Sequence, residues 1–241
     1  MFILFHLLTG LVLGYLLADL LGTRRVILPC MFGALLPDLV DKPLGILVLG
    51  ETLSSGRVFF HTLPLLIVVL LAGAVVLARY GRPSLFAVGV GMASHQALDV
   101  MWTQPNTWLY PFLGPFDTIA TEGWFLRVFI AELTNPLEWV SGAALLALLL
   151  PVLLPGRTEA LAARYGRLFR RLALGTAVLL ALVGLFLIAG GALRHYSGLA
   201  GWADEALWYA LVGGSVLLLT AYVLCRIAAR LRVDAPWIGL I

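Results

Sequence analysis

The chain alternates between long apolar runs and short polar connections. Six runs fall within the length of about 17–25 residues that a helix needs to cross a bilayer. They lie at roughly 2–21, 60–78, 85–101, 139–155, 173–193 and 206–225. A shorter run, 26–37, contains Pro29 and Pro37 and predicts a half-span or a short helix buried in protein. The pattern predicts an all-α fold: a polytopic transmembrane helical bundle with about six full spans plus one short or half-span segment.

Composition supports a lipid environment. Of the 241 residues, 61% are hydrophobic and 12% are charged, whereas soluble domains carry about 25% charged residues. The mean hydropathy is +1.00, and one core of this size cannot hide so much apolar surface from water. A soluble enzyme, a disordered chain and a disulfide scaffold are excluded. Membrane lipids are the expected partners and nucleic acid is not, because no basic groove or RNA-type motif is present. The oligomeric state is left open.

The distribution of basic residues predicts an orientation through the positive-inside rule. Twelve of the sixteen Lys and Arg residues fall in connections that we assign to the cytoplasm: 22–25, 79–84, 156–172 and the tail after 225. The outer side then holds Lys42, Arg57, Arg127 and Arg194. We expect a multi-pass protein of the cytoplasmic (inner) membrane with its N-terminus outside and its C-terminus inside. Segment 156–172 is either a basic amphipathic helix or a solvated loop.

Unusual polar residues concentrate in the first part of the chain. We expect residues 1–138 to form a membrane domain with a functional site and an outer aromatic loop, 102–138. Residues 139–241 are expected to add three scaffolding helices to the same bundle. The aromatic side chains of the loop form either an interface belt or the mouth of a lipid-substrate site. Whether this loop is a lid is left open.

Ionisable residues inside apolar runs are costly in lipid and are therefore functional candidates. The candidates are His6, Asp19, Asp38, Asp41, His61, His95 and Asp99. His95 and Asp99 lie one helical turn apart, so they share one metal ion or form an interhelical hydrogen-bonded pair. Asp19 lies near the cytoplasmic end of the first run, which favours a structural role or a pairing with Arg24 or Arg25.

The expected depths of the other candidates agree. With a rise of about 1.5 Å per residue, His6 and His61 lie roughly 27 Å from the nearest cytoplasmic arginine, and Asp99 roughly 26 Å. The same arithmetic places His95 and Asp38 at about 20 Å. Four segments therefore bring ionisable groups to one level in the outer part of the bilayer. The predicted metal ligands are His6, Asp38, His61, His95 and Asp99, a set that suits Zn²⁺ or a two-metal site, with Mn²⁺ or Mg²⁺ as alternatives.

Arg57 precedes His61 by four residues and shares its face if the helix starts early. A guanidinium there binds a phosphate bidentately, or it is an interfacial side chain whose charged end reaches water.

Four motifs follow one another along the chain: FHLLTG with His6, GALLPDLVDKP with Asp38 and Asp41, GRVFFHTL with Arg57 and His61, and SHQALD with His95 and Asp99. In this order they resemble the YdjM-type family of membrane-bound metal-dependent hydrolases, bacterial inner-membrane proteins that include LexA-linked hydrolases. The resemblance covers about residues 1–116. Two potential ligand positions depart from the family pattern: Val40 replaces the second acid of PD-x-D, and Gly56 replaces the first histidine of HRG-x-TH. The family's distant similarity to zinc-dependent phospholipase C and P1-type nucleases implies phosphoester hydrolysis at a multi-zinc site.

The leading hypothesis is a metal-dependent hydrolase of a lipid or lipid-linked phosphoester at the outer face of the cytoplasmic membrane. A metal-activated water is the expected nucleophile, Arg57 holds the phosphate and Asp41 is the candidate base. Two other classes stay open. One is a metal-binding or ion-coupled transport protein, and the other is a non-catalytic membrane subunit whose His and Asp groups join helices.

Overall fold

The computed structural model describes residues 3–119, 123–153, 155–198 and 204–230. Across these residues the protein is mainly helical, with nine α-helices and several short 3₁₀ and π-helical turns. They are α1 (Ile3–Leu21), α2 (Ile27–Lys42), α3 (Leu63–Tyr80), α4 (Ser84–Leu98), α5 (Pro105–Trp108), α6 (Trp124–Thr134), α7 (Pro136–Leu153), α8 (Pro155–Tyr196) and α9 (Glu205–Arg230). The chain divides into two compact units, residues 1–145 and 146–241.

Four helices in the described part of the chain are long and apolar enough to cross a membrane: Ile3–Leu21, Leu63–Tyr80, Arg164–Tyr196 and Glu205–Ala229. The predicted helical membrane fold is confirmed, but six full spans are not. The run 85–101 forms α4, which has 15 residues and is shorter than the roughly 17 that a span needs. It ends early because the backbone turns at Val100. Residues 139–153 of the run 139–155 lie in α7, where the apolar stretch among the described residues, Pro136–Leu149, is also short.

Residues 27–37 of the proline-containing run 26–37 form the first part of α2, which packs on both α1 and α4. One face of this short helix is buried, whereas Leu28 and Phe32 on the other face are half exposed. The buried positions of α2 include Cys30, Ala34, Asp38 and Asp41, spaced three or four residues apart on one face. Both of the acids in the GALLPDLVDKP motif therefore point into the first unit.

Glycines allow α1, α2 and α4 to approach closely. A Cβ atom on Gly33 would lie 2.1 Å from the Val88 carbonyl oxygen, and one on Gly91 would lie 2.1 Å from the Cys30 carbonyl oxygen. Small residues at such contacts are the usual means of bringing helices together in lipid, where the hydrophobic effect between helices is absent. The close packing brings the polar residues of these three helices together.

The N-terminus of α1 is held by an acidic side chain of α7. Glu138, which is 3% exposed, accepts hydrogen bonds from the Leu4 amide at 2.9 Å and from the Phe5 amide at 3.1 Å. The first amides of a helix have no partner within the helix, and a carboxylate there also interacts favourably with the helix dipole. This contact fixes the beginning of α1 next to His6.

The second unit consists mainly of α8 and α9, which pack on each other through Gly184 and Gly214. Segment 156–172, predicted as an amphipathic helix or a loop, has a helical backbone interrupted at Tyr165. The side chains of residues 154–163 lie outside the described part, so the amphipathic character predicted for this segment is not tested there. The tail beyond Arg230 also lies outside the described residues.

Candidate metal centre

Four donor residues converge inside the first unit. Asp38 comes from α2, His61 from a 3₁₀ turn (Phe59–His61), His95 from α4, and Asp99 from the C-terminal end of α4. All four are buried, and one donor atom from each lies within 4.8 Å of the others. We call these residues the four-donor cluster. Such a group could hold a metal ion.

The separations within the four-donor cluster suit a common ion. The Nε2 atoms of His61 and His95 are 3.1 Å apart, and Asp38 Oδ1 lies 3.6 Å from each of them. Asp99 Oδ2 lies 3.8 Å from the first and 4.0 Å from the second. A tetrahedral ion about 2.1 Å from each donor requires donors about 3.4 Å apart. The five separations given above, 3.1–4.0 Å, lie on either side of this value.

The tautomers of the two histidines are set by their other ring nitrogens. His95 Nδ1 lies 2.7 Å from the Ala34 carbonyl oxygen, and His61 Nδ1 lies 2.7 Å from Asp41 Oδ2. Both oxygens only accept, so each Nδ1 carries the proton. In the neutral rings each Nε2 then presents a lone pair, and the two lone pairs face each other. Histidines that bind metals are oriented in this way by a carbonyl or carboxylate behind them.

Asp38 directs a buried carboxylate oxygen toward the Nε2 atoms of His61 and His95. Its Oδ2 forms an ion pair with Lys42, whereas its Oδ1 is buried and has no hydrogen-bond partner. An unsatisfied carboxylate oxygen is costly inside a protein. A cation between this oxygen and the two Nε2 atoms would satisfy all three, so the donor set fits a metal ion.

Asp99 joins the four-donor cluster to Arg57. The guanidinium donates to Asp99 Oδ2 from Nε and lies against the same oxygen with Nη2, both at 2.9 Å. Val100 follows with φ 45° and ψ 46°, a left-handed conformation that β-branched residues rarely adopt. This turn ends α4 and leaves Asp99 at the end of the helix, where it meets Arg57.

His6, the fifth predicted ligand, lies beside the four-donor cluster. Its Nε2 is 3.4 Å from Asp99 Oδ1, and its ring centroid is 4.2 Å from that of His95. The structure thus brings four of the predicted ligands into one group and places the fifth in contact with two of them. Asp19 lies elsewhere: it is exposed near the end of α1, about 20 Å along the helix from His6.

Asp41 lies behind His61 and faces the backbone. Besides His61 Nδ1, its carboxylate accepts hydrogen bonds from the amides of Val58, Phe60 and His61 at 2.9–3.0 Å. It is completely buried. These four contacts occupy both oxygens and hold the segment that carries His61.

His61 is not part of a membrane-spanning helix, contrary to the predicted run 60–78. Pro64 lies in the first turn of α3, which begins at Leu63, so the helix does not extend back to Arg57.

The turn that carries His61 is held by Gln96, whose amide nitrogen donates to the carbonyl oxygens of Phe60 and Thr62, both at 3.2 Å. Trp108 Nε1 in turn donates to Gln96 Oε1 at 2.9 Å. Gln96 is not among the site residues predicted from the sequence, although an amide beside His95 in an apolar run is a usable signal.

A pocket of about 690 Å³ adjoins the cluster. Its lining includes the two cations that contact cluster carboxylates, as well as polar residues from the loop 102–138: Lys42, Arg57, Gln104, Asn106, Asp117 and Thr118. We call it the entrance pocket. The sequence analysis uses Lys42 only as a charge that helps to predict the orientation. Its position one helical turn after Asp38 is the signal in the sequence for the ion pair seen here.

Comparison with known proteins connects these residues to a family. A family model described as YdjM inner membrane protein matches residues 1–163, a range that contains the four-donor cluster, His6, Arg57 and the entrance pocket. No curated protein and no solved structure matches the chain.

Proposed function

Because the chain belongs to the YdjM inner membrane protein family, and because its buried donors converge, we propose that it is a metal-dependent hydrolase of a lipid or lipid-linked phosphoester. One observation carries the proposal. The Nε2 lone pairs of His61 and His95, 3.1 Å apart, converge with the unsatisfied Oδ1 of Asp38. A cation among these three acceptors would satisfy all of them.

The proposed ion is Zn²⁺, with Mn²⁺ or Mg²⁺ as alternatives. Two imidazoles and two carboxylates match the nitrogen and oxygen donors that Zn²⁺ accepts. Bound there, it would supply Lewis acidity toward a phosphoryl oxygen and toward water. His6 is placed to hydrogen-bond to Asp99 or to complete the ligand set.

The remaining polar residues orient these groups. Asp41 and the Ala34 carbonyl oxygen fix the histidine rings, as carboxylates and carbonyls behind metal ligands do. We therefore assign Asp41 a positioning role and not the base role expected from the sequence, because its oxygens are already occupied. Arg57 orients Asp99 and, as part of the pocket wall, is the group proposed to contact the phosphate.

A lipid-type substrate is supported by the setting of the cluster. An aromatic group joins the segment before His61 to the loop 102–138: the ring centroids of Phe59 and Phe116 are 5.4 Å apart, and those of Tyr110 and Phe116 are 4.2 Å apart. Aromatic side chains favour the boundary between water and lipid. The charge distribution supports an outer location for this end of the bundle.

Ion-coupled transport is less well supported. A transporter needs polar groups or broken helices that continue to the other side. Along α1, the buried side chains after His6 are apolar except for Thr9, whose hydroxyl donates to the Phe5 carbonyl oxygen at 2.8 Å.

The test is the metal content of the detergent-purified protein by elemental analysis, beside the His61→Ala, His95→Ala double variant. One or more Zn²⁺ per chain, lost in a double variant that stays folded, together with release of phosphate from a phosphoester lipid by the wild type, would support the proposal. Absence of metal from both proteins after incubation with Zn²⁺ would overturn it and favour a role of the cluster in joining helices.

A further inference from the structure

The entrance pocket contains charges of both signs. Lys42 and Arg57 line it on the side of the four-donor cluster, and Asp117 contributes a carboxylate from the loop 102–138. Its volume of about 690 Å³ lies within the roughly 300–1,000 Å³ of pockets that bind small ligands. These charged side chains make this part of the wall polar, and polar groups in a pocket wall fix the orientation of a ligand, so the pocket suits a polar group.

The charge balance favours an anion at the inner end. Asp38, Asp41 and Asp99 carry three negative charges, and Lys42 and Arg57, which contact Asp38 and Asp99, carry two positive charges. If the histidines are neutral, the net charge of these groups is −1. A divalent ion in the four-donor cluster would change it to +1, which attracts a phosphate group between the ion and the two cations.

Asp117 is held in a fixed orientation by its neighbours. Thr107 Oγ1 donates to Asp117 Oδ2 at 3.2 Å and accepts from the Asp117 amide at 3.1 Å. Asn106 Nδ2 lies 3.5 Å from Oδ1. A carboxylate oriented in a pocket wall accepts hydrogen bonds from hydroxyl or ammonium donors.

We propose that the entrance pocket binds the polar head group of the phosphoester, with the phosphate at Lys42 and Arg57 and a hydroxyl or ammonium donor of the head group at Asp117. This inference rests on the proposed function and extends it to the substrate class and to two further binding residues, Lys42 and Asp117. The substrate is then a phosphoester whose head group carries hydrogen-bond donors, and its apolar part lies outside the pocket.

Calorimetric titration of the Zn²⁺-loaded, detergent-purified protein tests the inference with inorganic phosphate, glycerol 3-phosphate and phosphoethanolamine. We expect the two head-group analogues to bind about tenfold more tightly than inorganic phosphate, the gain of a hydrogen bond to a charged group. The better of the two analogues identifies the donor as hydroxyl or ammonium. Asp117→Asn should reduce this preference to about threefold or less without weakening phosphate itself.

Lys42→Gln should lower the affinity for all three probes about tenfold, and Lys42→Arg should restore the affinity. Arg79→Gln and Asp204→Asn, which change exposed or partly exposed charges outside the pocket, are the matched controls and should bind like the wild type. Lys42 contacts Asp38, so Lys42→Gln could lose the metal. Asp117 hydrogen-bonds to residues outside the four-donor cluster, so we expect Asp117→Asn to keep the metal and to test the inference by itself.

Metal content measured on the same samples separates the two proposals. Bound metal with equal affinity for all three probes, or with an unchanged preference in Asp117→Asn, would overturn the head-group inference and leave the proposed function standing. Absence of metal would overturn both.

Discussion

His61 and His95 face each other with their Nε2 atoms 3.1 Å apart, although they come from a short 3₁₀ turn and from α4. Neither ring can turn away easily, because Asp41 holds one and the Ala34 carbonyl oxygen holds the other. This pair is the centre of the candidate site.

Replacing the carboxylate behind His61 should weaken metal binding. In Asp41→Asn the charge is lost and the amide presents only one acceptor, so the orientation and basicity of His61 are less well defined. Loss of such a group behind a ligand typically costs 10–100-fold in metal affinity. Competition with a chelator measures the affinity, and Asp19→Asn is the control. Unchanged affinity in a folded Asp41→Asn protein would contradict the positioning role.

Removing the charge that holds the N-terminus of α1 should destabilise the first unit. Glu138→Gln keeps the size of the side chain but can accept through only one neutral oxygen, so one of the two amides loses its acceptor and the other keeps an uncharged one. The free energy of unfolding in mixed micelles should fall by about 1–2 kcal/mol. The control Glu51→Gln, at an exposed position, should leave the free energy of unfolding unchanged. Equal stability of the two variants would show that the contact contributes little.

A single methyl group on Gly91 should disturb the packing of α2 on α4. The added Cβ would lie 2.1 Å from the Cys30 carbonyl oxygen and 2.6 Å from the Ala34 amide nitrogen, both of which are backbone atoms. We expect Gly91→Ala to cost about 3 kcal/mol or more and to weaken metal binding, because Ala34 also orients His95.

Gly190→Ala is the matched control for this substitution. Its added Cβ would have no neighbour within 4 Å, and alanine should stabilise the helix by about 0.5–1 kcal/mol. Similar stability of the Gly91 and Gly190 variants would contradict the close helix contact.

The orientation predicted from the basic residues can be measured by cysteine labelling. In a Cys225→Ser background, with Cys30 buried, an impermeant maleimide added to intact cells should label Ser197→Cys and not Arg79→Cys. Both positions should react after permeabilisation. The opposite pattern would reverse the orientation and place the four-donor cluster toward the cytoplasm.

The convergence of the ligands was predictable where the chain is helical. His6, Asp38 and His95 lie on α1, α2 and α4, so counting residues from the basic ends estimates their depth. The estimate worked because close packing keeps these helices near one another. His61 reached the same place for another reason: it precedes α3 in a turn that Asp41 and Gln96 hold, and helical arithmetic does not describe a turn.

The span count and two site roles could not be derived from the pattern. Hydropathy recorded an apolar run from 85 to 101, but it could not indicate that Val100 takes a left-handed conformation and ends the helix. The contact between Lys42 and Asp38 and the occupied oxygens of Asp41 depend on side-chain directions. A sequence places two acids and a lysine on one helix face, but which oxygen meets which partner is decided by the neighbouring segments.

The charge balance around the four-donor cluster implies an order of events under the proposed function. A protein without metal presents a net negative interior to an anionic phosphoester and repels it, whereas a loaded protein attracts it. Under that function, metal binding before the phosphoester is therefore favoured, and we expect a newly inserted chain to stay inactive until it is loaded. The same carboxylates that hold the ion would thus protect the membrane from an unfinished enzyme.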